Sequence, residues 1–253
     1  MDGQMTVFQM LYPTYAIGDK PIRLIETFAG YGSQAMALKR LGVNFEHYRM
    51  MEIDKYAVES YNAIHGTDFG QMDICKAHAE DFGIVEKDKY EYIFTYSFPC
   101  TDISLAGQRH GFEKGSGTRS ALVWEVERIL DELDKVDGLP QILLMENVSA
   151  IQNDENRPFF MKWLDVLVKH GYSNHVQTLN AVDYGIPQNR ERTFVLSILG
   201  KYNFDFPNPM ELNLNINSML DEDMTEEQAL QLIVKSEKAK DLLVELDEKD
   251  ELE

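Results

Sequence analysis

The chain has 253 residues, of which 44% are hydrophobic, and this is enough for one large α/β domain or two small ones with a full core. The formal net charge is −19, and residues 211–253 contribute −10 of it through 14 acidic residues and 4 lysines. The remaining −9 on residues 1–210 gives no electrostatic support for nucleic-acid binding, so such binding would need a local basic cleft. No apolar stretch approaches the ~20 residues that span a bilayer, and no secretory signal is evident.

The two cysteines, Cys75 and Cys100, do not form a metal-binding pattern. A reducing, cytoplasmic setting fits this cysteine content, and there a thiol stays available as a nucleophile. The sequence therefore predicts a cytoplasmic protein with no metal site and no membrane contact.

Residues 1–20 have no clear period and are interpreted as an N-terminal extension. Beyond them, apolar runs predict strands, and periodic apolar positions predict helices. The predicted strands are 21–26, 45–51, 92–96, 141–145, 174–179 and 193–199. The predicted helices are 35–41, 54–64, 118–133 and 158–170. This alternation predicts one α/β domain over 21–206, with a mostly parallel sheet and helices on both faces.

The sequence changes character after Phe206, where Pro207-Asn208-Pro209 breaks the chain and an Asn-rich segment follows. Thr225 and Gln228 have the spacing of a capping box. The apolar residues behind them fit one helix face: Ala229, Leu232, Ile233, Ala239, Leu242, Leu243 and Leu246. Residues 207–253 are therefore predicted to form an acidic C-terminal segment with an amphipathic helix.

Cys100 lies in the run Ser97-Phe98-Pro99-Cys100, directly after the predicted strand 92–96. Pro99 removes a backbone donor and fixes φ, so the chain must leave the sheet there. Open α/β sheets bind their ligands at the carboxyl ends of strands, which favours a catalytic thiol. The alternative is a packing role, because a free cysteine often behaves as a small buried hydrophobe.

Three features predict a cofactor that contains a nucleoside. The turn Phe28-Ala29-Gly30-Tyr31-Gly32 has glycines that let a ligand approach the backbone near a helix N-terminus. Glu52 ends the second strand, where an acid can hold a ribose diol, and Asp73 adds a polar group nearby. The alternatives are a structural glycine turn and solvated carboxylates. Dinucleotides and nucleoside triphosphates are disfavoured, because the sequence has no GxGxxG and no GK[ST] pattern.

Charged residues also flank two later strands. Glu146 follows four apolar residues at the end of the predicted strand 141–145, where a carboxyl could donate or share a proton. Arg190 and Arg192 precede the last strand and share a side by period two, which suits an anion or a carbonyl oxygen. The alternatives are a partly exposed strand-end carboxylate and surface salt bridges of the arginines with Glu191 and nearby acids.

In this order, these residues resemble the DNA (cytosine-5)-methyltransferases over about residues 21–199. The matching motifs are Phe28-Ala29-Gly30-Tyr31-Gly32, Glu52, Asp73-Ile74, Phe98-Pro99-Cys100, Glu146-Asn147-Val148, and Gln188, Arg190 and Arg192 of a Gln-x-Arg-x-Arg motif. The resemblance implies a Rossmann-like methyltransferase sheet that binds S-adenosyl-L-methionine and no metal. The implied cofactor-binding residues are Phe28, Gly30, Gly32, Glu52, Ile53, Asp73, Ile74 and Pro99.

The resemblance also implies a reaction on double-stranded DNA, with the target cytosine flipped out of the helix. In that reaction Cys100 attacks C6 of cytosine, and Glu146 contacts N3 and the exocyclic amine. Arg192 binds the O2 carbonyl, and Arg190 supports the cleft.

The sequence departs from the family's pattern in a few places. Thr101 stands where the family usually has Gln, and Ser33 where it often has Gly. About fifty residues follow the matching region, with an excess of acidic side chains, and they contain no obvious equivalent of the family's target-recognition region or of its last two blocks. We therefore expect the catalytic and cofactor-binding portion of such an enzyme. Three hypotheses about its state stay open: a split enzyme with recognition on a second subunit, a truncated product, and a non-catalytic DNA- or cofactor-binding relative.

Overall fold

The structure is a computed structural model, and it describes residues 12–103 and 112–214 together with single residues between 225 and 244. Within these ranges six strands form one sheet: β1 Ile22–Thr27, β2 Phe45–Met51, β3 Glu91–Tyr96, β4 Ile142–Val148, β5 Tyr172–Asn180 and β6 Glu191–Leu199. The helices of the same ranges are α1 Ser33–Arg40, α2 Lys55–His65, α3 Ala79–Phe82, α4 Val123–Lys135 and α5 Arg157–Lys169. These elements follow the alternation that the sequence predicts.

The spatial order of the sheet is β2-β1-β3-β4-β6-β5. The first four strands of the chain pair in parallel, whereas β6 is antiparallel to both β4 and β5. The predicted α/β fold with a mostly parallel sheet is therefore confirmed.

The helices pack on both faces, because successive residues of a strand point to opposite sides of a sheet. Ile25 of β1 belongs to the large core that also contains Val126 of α4 and Trp163 of α5. Its neighbour Leu24 belongs to a second core with Ala35 of α1. The strands buried between these layers read as near-continuous apolar runs, which is why they were visible in the sequence.

Most predicted boundaries lie within two residues of the observed ones; the last strand, for example, begins at Glu191 rather than at 193, so Arg192 lies inside it. Two differences are larger. The strand predicted over 141–145 continues to Val148, since Glu146 pairs with Phe194 and Val148 pairs with Arg192 of β6. The helix predicted over 118–133 is divided into a 3₁₀ turn, Arg119–Leu122, and α4. The sequence analysis did not predict the short elements Ile74–Lys76 and α3.

Residues 12–20 lie at the amino end of the parallel strands. Thr14 forms a β-bridge with Asn203, and the Tyr15 hydroxyl donates to the buried carboxyl of Glu91 at the start of β3. Burial raises the pKa of Glu91. In the described part of the chain, no helix is long and apolar enough to span a membrane.

The chain divides into two compact units, Met1–Glu211 and Leu212–Glu253. The amphipathic helix predicted over 225–246 lies largely outside the described residues. Among the few described positions of the second unit, Lys240 pairs with Glu237 at 2.8 Å.

Candidate active site

The topology of the sheet creates a crevice at the carboxyl end of β1. The chain passes from β1 to β2 on one side and later to β3 on the other, so the strand order reverses at β1. Open α/β sheets bind ligands at such a switch point. The glycine turn follows β1, Glu52 follows β2, and Cys100 follows β3, so three predicted site segments meet at this edge.

The glycine turn has the backbone geometry that its sequence suggests. Phe28, Gly30 and Gly32 all have positive φ angles, of 53°, 54° and 84°. A Cβ on Gly32 would lie 2.3 Å from Nε2 of His65 and 2.7 Å from the ring of Tyr61. Only glycine fits at this position, which is also the N-cap of α1. The turn thus brings the N-terminus of α1 to the crevice.

Glu52 is held by the turn that it faces. One carboxylate oxygen accepts a hydrogen bond from the backbone N–H of Gly30 at 3.0 Å, and the other accepts from the N–H of Asp54 at 2.9 Å. The backbone carbonyl of Glu52 accepts from the N–H of Met72 at 2.9 Å. The predicted ribose-binding acid therefore connects the glycine turn with the segment around residue 72.

That segment carries the remaining predicted cofactor residues. The Gln71 side chain donates to the backbone carbonyl of Ile53 at 2.7 Å. The Asp73 carboxylate accepts from the N–H of Cys75 at 3.0 Å and so begins the 3₁₀ turn. Ile53 is 63% exposed, whereas Ile74 is buried in the core. Ile53 thus presents an apolar surface beside Glu52, and Ile74 anchors the segment from beneath.

A buried carboxyl supports the glycine turn from below, and the sequence analysis missed it. Glu26 of β1 is 1% exposed. It accepts from the N–H of Ala35 at 3.3 Å and from the hydroxyl of Tyr61 at 2.6 Å. Burial raises the pKa of Glu26. The signal in the sequence was a lone acid inside an apolar strand, two residues before the turn.

His47 extends this network toward the surface. Its Nδ1 lies 2.9 Å from the Tyr61 hydroxyl, and the Tyr61 proton already goes to Glu26, so Nδ1–H of His47 is the donor. Nε2 of His47 is buried with no partner among the described residues. Burial, reinforced by the nearby His65 and Lys39, lowers the pKa of His47 to about 4.

The segment that carries Cys100 is attached to both neighbouring parts of the site. The Asn147 side chain donates to the backbone carbonyl of Phe98 at 3.0 Å, and Asn147 is itself buried in β4. Gln34 of α1 donates to the Ser97 hydroxyl at 3.1 Å. Cys100 is a free, partly exposed thiol. The packing alternative for Cys100 is disfavoured by this exposure.

Glu146 and Arg192 form an ion pair across β4 and β6. The Nε atom of Arg192 lies 3.0 Å from a Glu146 carboxylate oxygen, and both side chains are about one-quarter exposed, at 23% and 25%. Arg192 also donates to the backbone carbonyl of Glu191 at 2.7 Å. The pair is therefore an inter-strand feature beside Asn147, rather than a salt bridge to the Glu191 side chain.

Arg190 lies one residue before β6 and is exposed. Its backbone N–H donates to the Asn180 side chain at 2.9 Å. The side chains of Arg190, Arg192 and Glu146 all line one cavity of about 930 Å³, together with Gln34. The two arginines thus face the same space, as the period-two spacing predicts.

No group of three or more His, Cys, Asp or Glu side chains is arranged to hold a metal ion within the ranges 12–103 and 112–214 and the few later described positions. What the site contains is a glycine turn at a helix N-terminus, a partly exposed thiol and an acid–guanidinium pair, gathered at one edge of the sheet.

Comparison with known proteins identifies the class. The profile of the family described as C-5 cytosine-specific DNA methylase matches residues 22–251. The chain belongs to this family. The match extends beyond residue 199, where the motif-based resemblance ended.

Several curated methyltransferases are similar to the chain. Type II methyltransferase M2.ScrFI of Lactococcus lactis subsp. cremoris is 33% identical over 81% of this chain and 69% of that protein. Orphan methyltransferase M.SssI of Spiroplasma monobiae is 29% identical over 85% of this chain and 69% of its own length. Type II methyltransferase M.HhaI of Haemophilus parahaemolyticus is 33% identical, and the chain covers 57% of it.

Solved structures share the fold. The Entamoeba histolytica methyltransferase EhMeth superimposes with a TM-score of 0.67 at 19% identity, over 83% of this chain and 62% of that one. The Dnmt2 methyltransferase of S. pombe gives a TM-score of 0.56 at 23% identity, over 74% and 52%. The chain therefore spans between half and two-thirds of the length of these structures.

Proposed function

We propose that this chain transfers a methyl group from S-adenosyl-L-methionine to C5 of cytosine in double-stranded DNA. Membership of the C-5 cytosine-specific family supports the reaction class. The observation that carries the proposal is the attachment of the Cys100 segment to the strand of Glu146. Asn147 follows Glu146 in β4 and donates to Phe98, two residues before Cys100. A nucleophile and an acid–guanidinium pair are thereby held at one edge.

The residues at the switch point fit S-adenosyl-L-methionine. Gly32 has no room for a Cβ, which would meet His65 and Tyr61, so the glycine turn packs closely against α2. Glu52 offers a carboxylate beside Gly30 to a ribose diol, and the exposed Ile53 offers an apolar surface to a base. When bound there, the cofactor would supply a methyl group on a positively charged sulfur.

Cys100 would begin the reaction by attacking C6 of a cytosine that has left the duplex. The Sγ–C6 bond forms, and the electron pair of the C5–C6 double bond becomes available at C5. A thiolate is the attacking species, because a thiol is a weak nucleophile. The negative charge that develops on the ring would be stabilised by a hydrogen bond from the protonated Glu146 carboxyl to N3 and by Arg192 at O2, while the other Glu146 oxygen would accept from the exocyclic amine.

C5 would then take the methyl group, and the sulfur of the donor would keep the electron pair of the broken bond. Loss of the C5 proton to a base restores the double bond, and Cys100 leaves as thiolate. Arg190 lines the same cavity as Arg192 and would support the cleft electrostatically. The products are 5-methylcytosine, S-adenosyl-L-homocysteine and a proton.

The attack at C6 requires access to the face of the base, which a stacked duplex blocks. Base flipping is therefore part of the proposal. The reaction also requires a reduced thiol, which fits a cytoplasmic setting.

We also propose that target choice depends on an element beyond the described residues. Sequence is read through donors and acceptors presented in a DNA groove, and residues 200–214 contribute one cation, Lys201. A second subunit is one source of such an element, as the split-enzyme hypothesis expects. Copurification of a partner that increases methylation by the full chain would support that source, and full site-specific activity of the chain alone would contradict it.

The direct test of the reaction is product analysis. The full chain is incubated with duplex DNA and S-adenosyl-L-methionine, and the DNA is digested to nucleosides for mass spectrometry. We expect 5-methyl-2′-deoxycytidine from the parent chain and none from a Cys100→Ser control. Binding of the cofactor without any methylated cytosine would support the non-catalytic alternative.

A further inference from the structure

The turn that carries Cys100 is closed by a residue from a different part of the chain. Ser120 lies in the 3₁₀ turn that precedes α4 and is fully buried. Its hydroxyl donates to the backbone carbonyl of Pro99 at 2.6 Å. The same oxygen lies 3.3 Å from the backbone N–H of Asp102 and accepts from it. One hydroxyl therefore contacts the backbone on both sides of Cys100.

The side chain of Asp102 in turn contacts Ser120. Its carboxylate accepts from the backbone N–H of Ser120 at 3.1 Å and from the hydroxyl of Thr101 at 3.2 Å. Inside the turn, the N–H of Ile103 donates to the carbonyl of Cys100 at 3.1 Å. The result is a closed ring of hydrogen bonds, which we call the Ser120–Asp102 clasp, with Cys100 and Thr101 at its apex.

We propose that Ser120 and Asp102 are positioning residues for the Cys100 nucleophile. The proposal rests on the proposed function, because it assigns the clasp to the reaction of Cys100. Neither side chain touches the reacting atoms. The clasp fixes the backbone conformation around Cys100 and so the direction of the thiol. Small displacements of a nucleophile strongly reduce the rate of its reaction.

The contacts around Ser120 distinguish a role in positioning Cys100 from a role in anchoring α4. The helix behind Ser120 has its own anchors: Val123 and Val126 are buried in the core, and the indole of Trp124 donates to the carbonyl of Phe112 at 2.7 Å. The Thr118 hydroxyl caps the same 3₁₀ turn through the N–H of Ala121 at 3.3 Å. The Ser120 hydroxyl therefore contacts the Cys100 segment, whereas the cap of its own 3₁₀ turn comes from Thr118.

This difference supplies a matched control. Ser120→Ala removes both contacts of the hydroxyl with the Cys100 turn. Thr118→Ala removes a cap from the same short element and leaves those contacts in place. Asp102→Ala breaks the clasp from the other side, and Asp102→Asn keeps an oxygen that can accept from Ser120.

The first measurement is the single-turnover rate of methyl transfer, with cofactor affinity measured separately by calorimetry. We expect Ser120→Ala and Asp102→Ala each to slow transfer at least tenfold, with cofactor affinity within twofold of the parent. The double variant should be no slower than the slower single one, because both break one ring. Asp102→Asn should recover most of the rate, and Thr118→Ala should stay within twofold of the parent.

The second measurement does not require catalysis. Iodoacetamide labels Cys100 and Cys75 in the same sample, and peptide mass spectrometry gives the ratio of their rates, with the exposed Cys75 as internal reference. We expect the Cys100-to-Cys75 ratio to rise at least threefold in Ser120→Ala and to stay unchanged in Thr118→Ala. If the parent never methylates DNA, the proposed function fails while this ratio still tests the clasp.

The clasp proposal is overturned by an unchanged labelling ratio in Ser120→Ala. It is also overturned by a transfer rate within twofold of the parent, or by a loss of cofactor affinity that matches the loss of rate. If Ser120→Ala does not fold, as judged by lost cofactor binding and circular dichroism, the two Asp102 variants decide by the same criteria.

Discussion

The two sides of the crevice are supported by different kinds of hydrogen-bonding groups. On the proposed cofactor side, the glycine turn lies on titratable groups: the buried Glu26 and Tyr61 and the partly buried His47 form one hydrogen-bonded chain beneath it. On the catalytic side, the Cys100 segment is held by neutral contacts from Asn147 and Ser120. The charged groups of this side are partly exposed: Asp102 lies within the clasp, and Glu146 and Arg192 lie at the rim, about one-quarter exposed.

Because of this difference, we expect substitutions on the two sides to have different effects on rate and on stability. Removing a group at the exposed rim should reduce the rate of chemistry with little effect on folding, because exposed ion pairs contribute little to stability. Disturbing the buried side should change stability and cofactor binding together, since an unsatisfied buried polar group is costly.

The largest expected effect is that of Cys100→Ser. Methyl transfer should fall by ~10³-fold or more, as for the loss of a nucleophile in other enzymes. The free energy of unfolding should stay within about 0.5 kcal/mol of the parent, because the side chain is partly exposed. Single-turnover kinetics and urea denaturation measure the two quantities. A variant that retains a tenth of the parent rate would remove Cys100 from the mechanism.

Glu146→Gln should have the next largest effect. The substitution keeps the shape of the side chain but removes its charge and its ability to share a proton, so we expect a decrease in kcat of ~10²-fold. Stability should change by roughly 0–1 kcal/mol, since the pair with Arg192 is partly exposed. Steady-state kinetics with cofactor titration checks this. A large loss of stability with normal kcat would show that the pair is structural.

Gly32→Ala tests the buried side. The new Cβ would overlap Nε2 of His65 and the ring of Tyr61, at a φ angle of 84°. We expect a loss of about 2–4 kcal/mol in stability, from the left-handed backbone and from overpacking, and at least tenfold weaker cofactor binding. Gly42→Ala is the matched control, because Gly42 also has a positive φ but has open space around its Cβ position.

Calorimetry and denaturation of both glycine variants give the comparison. Gly42→Ala should lose only about 1–2 kcal/mol, from the backbone conformation alone. Equal losses in the two variants would show that the contact with Tyr61 and His65 has no part in shaping the turn.

The smallest expected effect is a dependence of stability on pH. The pKa of His47 is lowered to about 4 in the folded protein, against about 6.5 when unfolded. The contribution of His47 to the free energy of unfolding is therefore present above pH ~6.5 and is lost progressively as the pH falls toward 4. Glu26 acts in the opposite direction, because burial raises its pKa. Its contribution to the free energy of unfolding therefore grows as the pH falls.

Thermal unfolding of the parent, His47→Phe and Glu26→Gln between pH 7.5 and 4.5 tests these signs. His47→Phe should flatten the acid-side decrease in Tm by a few degrees, and Glu26→Gln should make it steeper. Identical slopes in all three proteins would show that this network does not contribute to the pH dependence.

The sequence predicted the parts of the molecule that local pattern determines. Strand β3 was predicted over 92–96 and is observed over Glu91–Tyr96 with every residue buried, because a buried run of β-prone residues is a local signal. The ends of parallel strands then predicted which side chains would meet. The extension of β4 through Glu146 was not predicted, because it depends on antiparallel pairing with β6, some fifty residues away.

The contacts that support the site could not be predicted from the sequence, although Glu26 itself is distinguished as an acid inside an apolar strand. Glu26 meets Tyr61 across 35 residues, and Ser120 meets Pro99 across 21. Neither pair has a spacing or a motif that distinguishes it from other acids, tyrosines and serines. Such contacts are created by the packing of helices on the sheet, so only the folded chain shows them.

The central claim is that Cys100 bonds covalently to the target base. Duplex DNA with 5-fluorocytosine is the direct probe, because fluorine at C5 leaves no proton to lose after methyl transfer. We expect mass spectrometry of the digested complex to show a nucleotide adduct on the Cys100 peptide that requires S-adenosyl-L-methionine and is absent from Cys100→Ser. An adduct on Cys75, or none on a chain that methylates unmodified DNA, would contradict the claim.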